Sequence, residues 1–238
     1  MSGRARVAVL VSGAGTNLQA LLDGAATRGA PFEVVLVLAD RPGIGAIERA
    51  ERACVPALVL PSRSPRETAE ARLAEALTER LGEATVDLVV LAGFLRRVPA
   101  TVVDRYAGRM INVHPALLPS FGGSGMYGRR VHEAALAAGV TVSGATVHFV
   151  DAEYDRGPII AQWPVAVLDE DDPETLAARV LEVEHALLPR VVRALARGEV
   201  RLDAEGRCRW EVPRPTPRLD AEGLEETGDL GLPRQHGG

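Results

Sequence analysis

Two side chains in the middle of this sequence are placed to do chemistry. Within Ile111-Asn112-Val113-His114-Pro115 an amide and an imidazole stand two residues apart. On a β-strand they face the same side. A third group comes from Asp151-Ala152-Glu153-Tyr154-Asp155-Arg156-Gly157-Pro158. Its Asp and Gly residues would favour a turn in any case, but one of its carboxylates beside His114 would raise the imidazole pKa toward a charged form. Amide, imidazole and carboxylate together suit attack of a neutral amine on a carbonyl. Asn112 and protonated His114 would stabilise the developing oxyanion. The carboxylate, directly or through water, would take the excess proton from the amine. No protein nucleophile is required. Cys54, followed by Val55-Pro56 with no histidine nearby in sequence, reads as a core residue. His148 reads as structural or as a support behind the reacting groups. No His-x-x-His spacing occurs, so metal-assisted hydrolysis fits poorly and no metal is expected.

A second constellation lies near the start. Ser12-Gly13-Ala14-Gly15-Thr16-Asn17 follows an apolar strand and opens a helix. Backbone N–H groups at a helix N-terminus suit a phosphate. Gly13 and Gly15 allow close approach of the backbone, and Thr16 and Asn17 add side-chain donors. The rival reading is a dinucleotide fingerprint, with Asp40 as the ribose-binding acid. The segment lacks the third glycine of that pattern.

These residues need a frame. Arg6–Val11, Glu33–Ala39, Ala57–Leu60, Val86–Ala92 and Met110–Val113 read as strands, mostly continuous apolar runs. Asn17–Ala26 and Ala46–Ala53 read as helices between them. Ser64-Pro65-Arg66-Glu67 predicts a capping box opening a further helix to about Leu81. Strands buried on both faces and alternating with helices make a parallel sheet covered on both sides. The fold class is therefore a doubly wound, mostly parallel α/β sheet. Residues 1–110 form a Rossmann-like, phosphate-binding half, and 111–212 complete one catalytic domain. In that second half Gly122–Gly128 is a glycine-rich loop, Val131–Ala138 a helix, and Thr141–Val150 and Ile159–Val167 strands. Asp172-Pro173-Glu174-Thr175 starts a long helix to about Ala196, and Glu199–Leu202 with Arg207–Val212 forms a hairpin. Residues 213–238 hold four prolines and five glycines with only five apolar residues. They are expected to be disordered.

Composition removes whole mechanisms. All 27 basic residues are arginine. Without lysine there is no Schiff base, no Ser-Lys dyad and no Walker A phosphate site. A net charge of −5 argues against nucleic-acid binding. No apolar run is long enough to span a membrane, and the start runs straight into a strand, so no signal peptide is expected. Two cysteines cannot build a disulfide framework, which suits a reduced, cytoplasmic setting.

Several motifs, in order, resemble the phosphoribosylglycinamide formyltransferase family, folate-dependent enzymes of purine synthesis. They are Val11–Ala20, Leu91-Ala92-Gly93-Phe94-Leu95-Arg96, Asn112–Pro119, Val147–Pro158 and Glu184-His185. The resemblance spans about Arg6 to Trp210. It implies formyl transfer from 10-formyltetrahydrofolate to the amine of phosphoribosylglycinamide, in a monomer or homodimer with no nucleic-acid or membrane partner. It puts the catalytic set on Asn112, His114 and Asp155, the last chosen by its place before Arg156-Gly157-Pro158. Substrate binding falls on Gly13, Gly15, Thr16, Asn17 and Glu184. The folate cleft falls on Leu91, Phe94, Leu95, Arg96, Val98 and Asn112, with Arg66 as a folate-side arginine. Two features depart from the family pattern. Arg97 stands where the family is usually apolar, and the loop after Phe121 lacks the common Pro-Gly. Two alternatives are a folate-linked formyltransferase for a different amine and a nucleotide-binding module without chemistry.

Overall fold

Unbroken apolar strands must be covered on both faces, and the arrangement of this chain follows from that. A computed structural model describes residues 3–63, 65–214, 217–220 and 223–226. Seven strands, β1 (Ala5–Val11), β2 (Phe32–Ala39), β3 (Ala57–Val59), β4 (Leu88–Ala92), β5 (Met110–His114), β6 (Val142–Phe149) and β7 (Ile159–Ala166), form one sheet. Its order is β3-β2-β1-β4-β5-β6-β7. The first five of these are parallel, and β6 and β7 add antiparallel edges. β1 shows the double burial. Val7, Val9 and Val11 pack on one side with α1 (Thr16–Ala26) and α6 (Pro173–Ala196). Ala8 and Leu10 pack on the other with Leu73, Leu77 and Leu81 of α3 (Ala69–Glu83).

The remaining helices are α2 (Gly45–Arg52), α4 (Ala100–Arg105) and α5 (Arg129–Ala137). Helix α6 has a reciprocal cap: Asp172 Oδ1 accepts from Thr175 N at 2.8 Å, and Thr175 Oγ1 accepts from Asp172 N at 2.9 Å. The cap expected at the start of α3 is replaced. Pro65 is extended, Arg66–Thr68 forms a 3-10 turn, and α3 opens at Thr68 without a side-chain cap. Ser64 lies outside the described residues. Helix α4 escapes periodicity because it has only six residues, two of them buried valines, Val102 and Val103. Cys54 is exposed rather than in the core. It has left the end of α2 with φ 56°, which turns its side chain outward.

Strands β8 (Val200–Leu202) and β9 (Cys208–Trp210) pair as a hairpin. In the segment expected to lack order, β10 (Pro217–Asp220) and β11 (Gly223–Glu226) pair antiparallel. Such a ladder closes locally and needs no core. Residues 215, 216, 221, 222 and 227–238 lie outside the described set. Among the described residues no helix is long and apolar enough to cross a membrane.

Candidate active site

The site forms where the sheet changes direction. β5 is parallel to β4 but antiparallel to β6, and this register sets Asn112 opposite His148 and His114 opposite Thr146. Asp155 reaches the same place from the loop between β6 and β7. Its Oδ2 lies 3.6 Å from His114 Nδ1 and accepts from Gly123 N at 2.9 Å. Its Oδ1 accepts from Asn112 Nδ2 at 3.4 Å and lies 3.7 Å from His148 Nε2. Three sequence-chosen residues are therefore brought together, and a fourth, His148, joins them in direct contact.

Backbone partners determine the imidazole protons. His148 Nδ1 lies 2.8 Å from Phe149 O. A carbonyl can only accept, so Nδ1 carries the proton and Nε2 accepts from Asn112 Nδ2 at 3.1 Å. His114 Nε2 lies 2.9 Å from Phe121 O and is a donor by the same reasoning. Its Nδ1 then presents a lone pair toward Asp155. Both loops hold strained backbone here: Phe121 and Asp155 each have φ 54°, a conformation that L side chains rarely adopt.

Burial sets the charges. Removal from water pushes the His114 pKa down, and the Asp155 carboxylate and the Phe121 carbonyl only partly oppose this. The free site therefore holds His114 neutral near pH 7, whereas the sequence reading expected a carboxylate neighbour to raise its pKa. Asp155 shows the converse balance. Burial pushes its pKa up, but its contacts with His148 and His114 and the Gly123 N–H hold it below the usual carboxylate range. Asp155 is ionised and His114 is ready to receive a proton.

Two cavities meet at this cluster. The larger, about 820 Å³, is lined by Asn17, Phe94, Leu95, His132, Leu181 and Glu184, together with Asn112, His114 and Asp155. The smaller, about 80 Å³, is lined by Leu91, Phe94, Arg96 and Val98 and shares Asn112 and Asp155 with the larger. Arg96 is buried, with Nη1 donating to Pro61 O at 2.7 Å. Arg66 is exposed on its 3-10 turn and lines neither cavity.

The glycine turn is only partly at the cavity. Gly15 caps α1 at φ 76°, and a Cβ there would lie 2.6 Å from Ala46 Cα, so glycine is required by packing against α2. Asn17 lines the large cavity, and its Nδ2 donates to Glu184 Oε2 at 2.7 Å. Thr16 lines a separate surface groove with Arg49 and His185. Gly13 is exposed, with nothing close to its Cβ position. Glu184 is buried on α6, and its carboxyl is pushed up to about 7 by burial, with Asn17 opposing.

A model of the formyl transferase family matches residues 5–192. The chain belongs to the formyl transferase family. It is 40% identical over 203 residues to a chloroplastic phosphoribosylglycinamide formyltransferase of Arabidopsis thaliana, covering 85% of this chain and 69% of that protein. It is 41% identical over 207 residues to the trifunctional purine biosynthetic protein adenosine-3 of Bos taurus, covering 87% of this chain but only 20% of that much longer protein. The crystal structure of glycinamide ribonucleotide transformylase 1 from Symbiobacterium toebii is 42% identical, with a TM-score of 0.80, covering 88% of this chain and 95% of that one.

Within this formyl transferase two contributors were not picked out from sequence, and a third, His148, was read only as structural or as a support. The Phe121 carbonyl and the Gly123 N–H are backbone groups, so residue type carries no trace of them. His148 had a signal. A second apolar strand bearing one histidine becomes informative once β6 is placed antiparallel to β5 and register pairs it with Asn112. Among the described residues no group of three or more His, Cys, Asp or Glu side chains is arranged to hold a metal ion.

Proposed function

We propose that this formyl transferase moves a formyl group from 10-formyltetrahydrofolate to the amine of phosphoribosylglycinamide. One observation carries the reading: Asn112 and Asp155 line both cavities at once, so donor and acceptor can meet across them. The small cavity, with Leu91, Phe94 and Val98 on its wall, suits the flat ring system of the folate. The large cavity suits the ribonucleotide, with Glu184 and Asn17 toward its ribose. The first N–H groups of α1, free by helix geometry, are directed to its phosphate. No lysine is needed for that contact, and the amine that attacks belongs to the substrate.

The amine nitrogen bonds to the formyl carbon. Asn112 Nδ2 turns one N–H to the oxyanion by giving up its 3.4 Å contact with Asp155, the longer of its two bonds. His114 contributes Nε2–H, released from Phe121 O as the Gly122–Gly128 loop shifts. Ionised Asp155 draws the excess proton from the amine, with His114 Nδ1 as the adjoining acceptor. Collapse breaks the bond from the formyl carbon to the folate nitrogen, which takes up a proton as it leaves. The two unpaired cysteines, Cys54 and Cys208, suit the reduced, cytoplasmic setting we assign.

The test is incubation with 10-formyltetrahydrofolate and a panel of amines, following release of tetrahydrofolate. Transfer to phosphoribosylglycinamide alone is expected. Transfer to a different amine, or binding of the ribonucleotide without turnover, overturns the assignment.

A further inference from the structure

The side chain of Arg97 is engaged at two points. It lies between β4 and α4, beside Arg96 and Val98. Its Nη2 donates to Ala152 O at 2.8 Å, across 55 residues of sequence. Its guanidinium also lies over the Tyr154 ring, 6.0 Å from the centroid. Both partners belong to the loop that presents Asp155.

That loop is otherwise weakly held. Its neck is pinched where Phe149 N donates to Pro158 O at 2.9 Å. Gly157 sits in the pinch, where a Cβ would come 1.9 Å from Phe149 O. Beyond the neck, Asp151 Oδ1 accepts from Glu153 N at 2.9 Å, a bond internal to the loop. The contacts from Asn112, His114, His148 and Gly123 all end on the Asp155 carboxylate. Among the described residues, Arg97 makes the one hydrogen bond from outside to the backbone of residues 151–157. Asp155 must meanwhile be kept at φ 54°, a conformation that persists only when its surroundings over-determine it.

We propose that Arg97 is a positioning residue: it braces the 151–157 loop against the folate-side segment and so holds the Asp155 carboxylate at His114. The proposal rests on Asp155 acting in the formyl transfer assigned above. Arg97 touches no reacting atom in this scheme. Its charge is not among the influences that set the Asp155 titration, so the brace is mechanical, a donor of sufficient length.

The experiment compares Arg97→Met, Arg97→Lys and Arg97→Met/Asp155→Asn with the full-length wild type, after checking that each melts within about a degree or two of it. Arg97→Met is expected to lower kcat roughly five-fold, the scale of one modest hydrogen bond, with KM for the ribonucleotide unchanged. A slack loop also loosens the contacts that keep Asp155 acidic, so the acid limb of the pH–rate profile moves to higher pH. Arg97→Lys, which keeps a long donor, restores most of kcat and the wild-type limb. On the Asp155→Asn background Arg97→Met costs nothing further. Arg97 also lines the small cavity, so a rise in folate KM with kcat and pH profile untouched would mean that it acts only as a wall of the folate cavity and would overturn the brace. A full five-fold loss on the Asp155→Asn background does the same. If wild type shows no transfer to phosphoribosylglycinamide, the functional assignment fails, a result separable from all of these.

Discussion

The two ends of the large cavity are built on opposite plans. At the Asn17 end, the turn between β1 and α1 brings Asn17 to the cavity wall. Its conformation is set by local geometry, a left-handed Gly15 against Ala46, and its proposed ligand contacts are backbone N–H groups that any sequence of this shape would offer. At the Asp155 end, nothing is local. Asn112, His114, His148, the Phe121 carbonyl and Asp155 come from two antiparallel neighbours and two loops, and two of them sit in strained backbone. The first plan binds a fixed charge with little cost in order. The second holds an ionised carboxylate beside a neutral buried imidazole, which requires strain and mutual support. A site of the first kind should tolerate substitution, and one of the second kind should fail steeply.

The predictions bear on that contrast in order of size. Asp155→Asn keeps shape but removes the charge. It should lower kcat by about 10³-fold, within the range for loss of an acid–base group, with an unchanged circular dichroism spectrum. In the wild type, the acid limb of the pH–rate profile should lie below the usual carboxylate range, because Asp155 is held there by its neighbours. A folded Asp155→Asn enzyme with near-normal turnover would erase the difference between the two ends. Asn112→Ala should lower kcat about 100-fold, the loss typical of one oxyanion donor. Stopped-flow single turnover distinguishes this from slowed product release.

Glu184, at the tolerant end, makes a prediction about stability. Its folded pKa of about 7 stands above its ordinary 4.5. Between these values the folded state keeps a proton that the unfolded chain has released, so stability falls as pH rises through this window and then levels off. At roughly 1.4 kcal/mol per unit the loss is about 3 kcal/mol. Glu184→Gln keeps an acceptor for Asn17 without the charge. Denaturant unfolding should find the variant more stable than wild type at pH 8 and equal at pH 4. Its KM for the ribonucleotide should rise. Equal stability at both pH values would mean that Glu184 is not buried as a carboxyl. Smallest of all, Asp172→Ala removes the cap of α6 and should cost about 1 kcal/mol by the same unfolding measurement.

Much of this was legible along the chain. Continuous apolar runs such as Val7–Val11 cannot face water on either side, so a covered parallel sheet followed. The two-residue spacing of Asn112 and His114 put both on one strand face. Glycines 13 and 15 marked a strand-to-helix turn. Other features left no local trace. Helix α4 is too short for a period to show. The ladder of Pro217–Asp220 with Gly223–Glu226 sits in a composition that reads as disordered. Cys54 looked apolar and buried, but a left-handed residue at the end of α2 turned it outward.

The sequence by itself determined which groups are available and which apolar runs must be buried in a covered sheet, because hydrophobic period, turn chemistry and residue type act over a few neighbours. It also determined that no lysine takes part. Tertiary structure alone decided how those groups are charged and aimed. The antiparallel register of β5 and β6 brought His148 onto Asn112, burial made His114 neutral against the pull of Asp155, and the 151–157 loop placed its carboxylate in reach. These depend on distance and on exclusion of water, and both arise only once segments far apart in the chain are packed together.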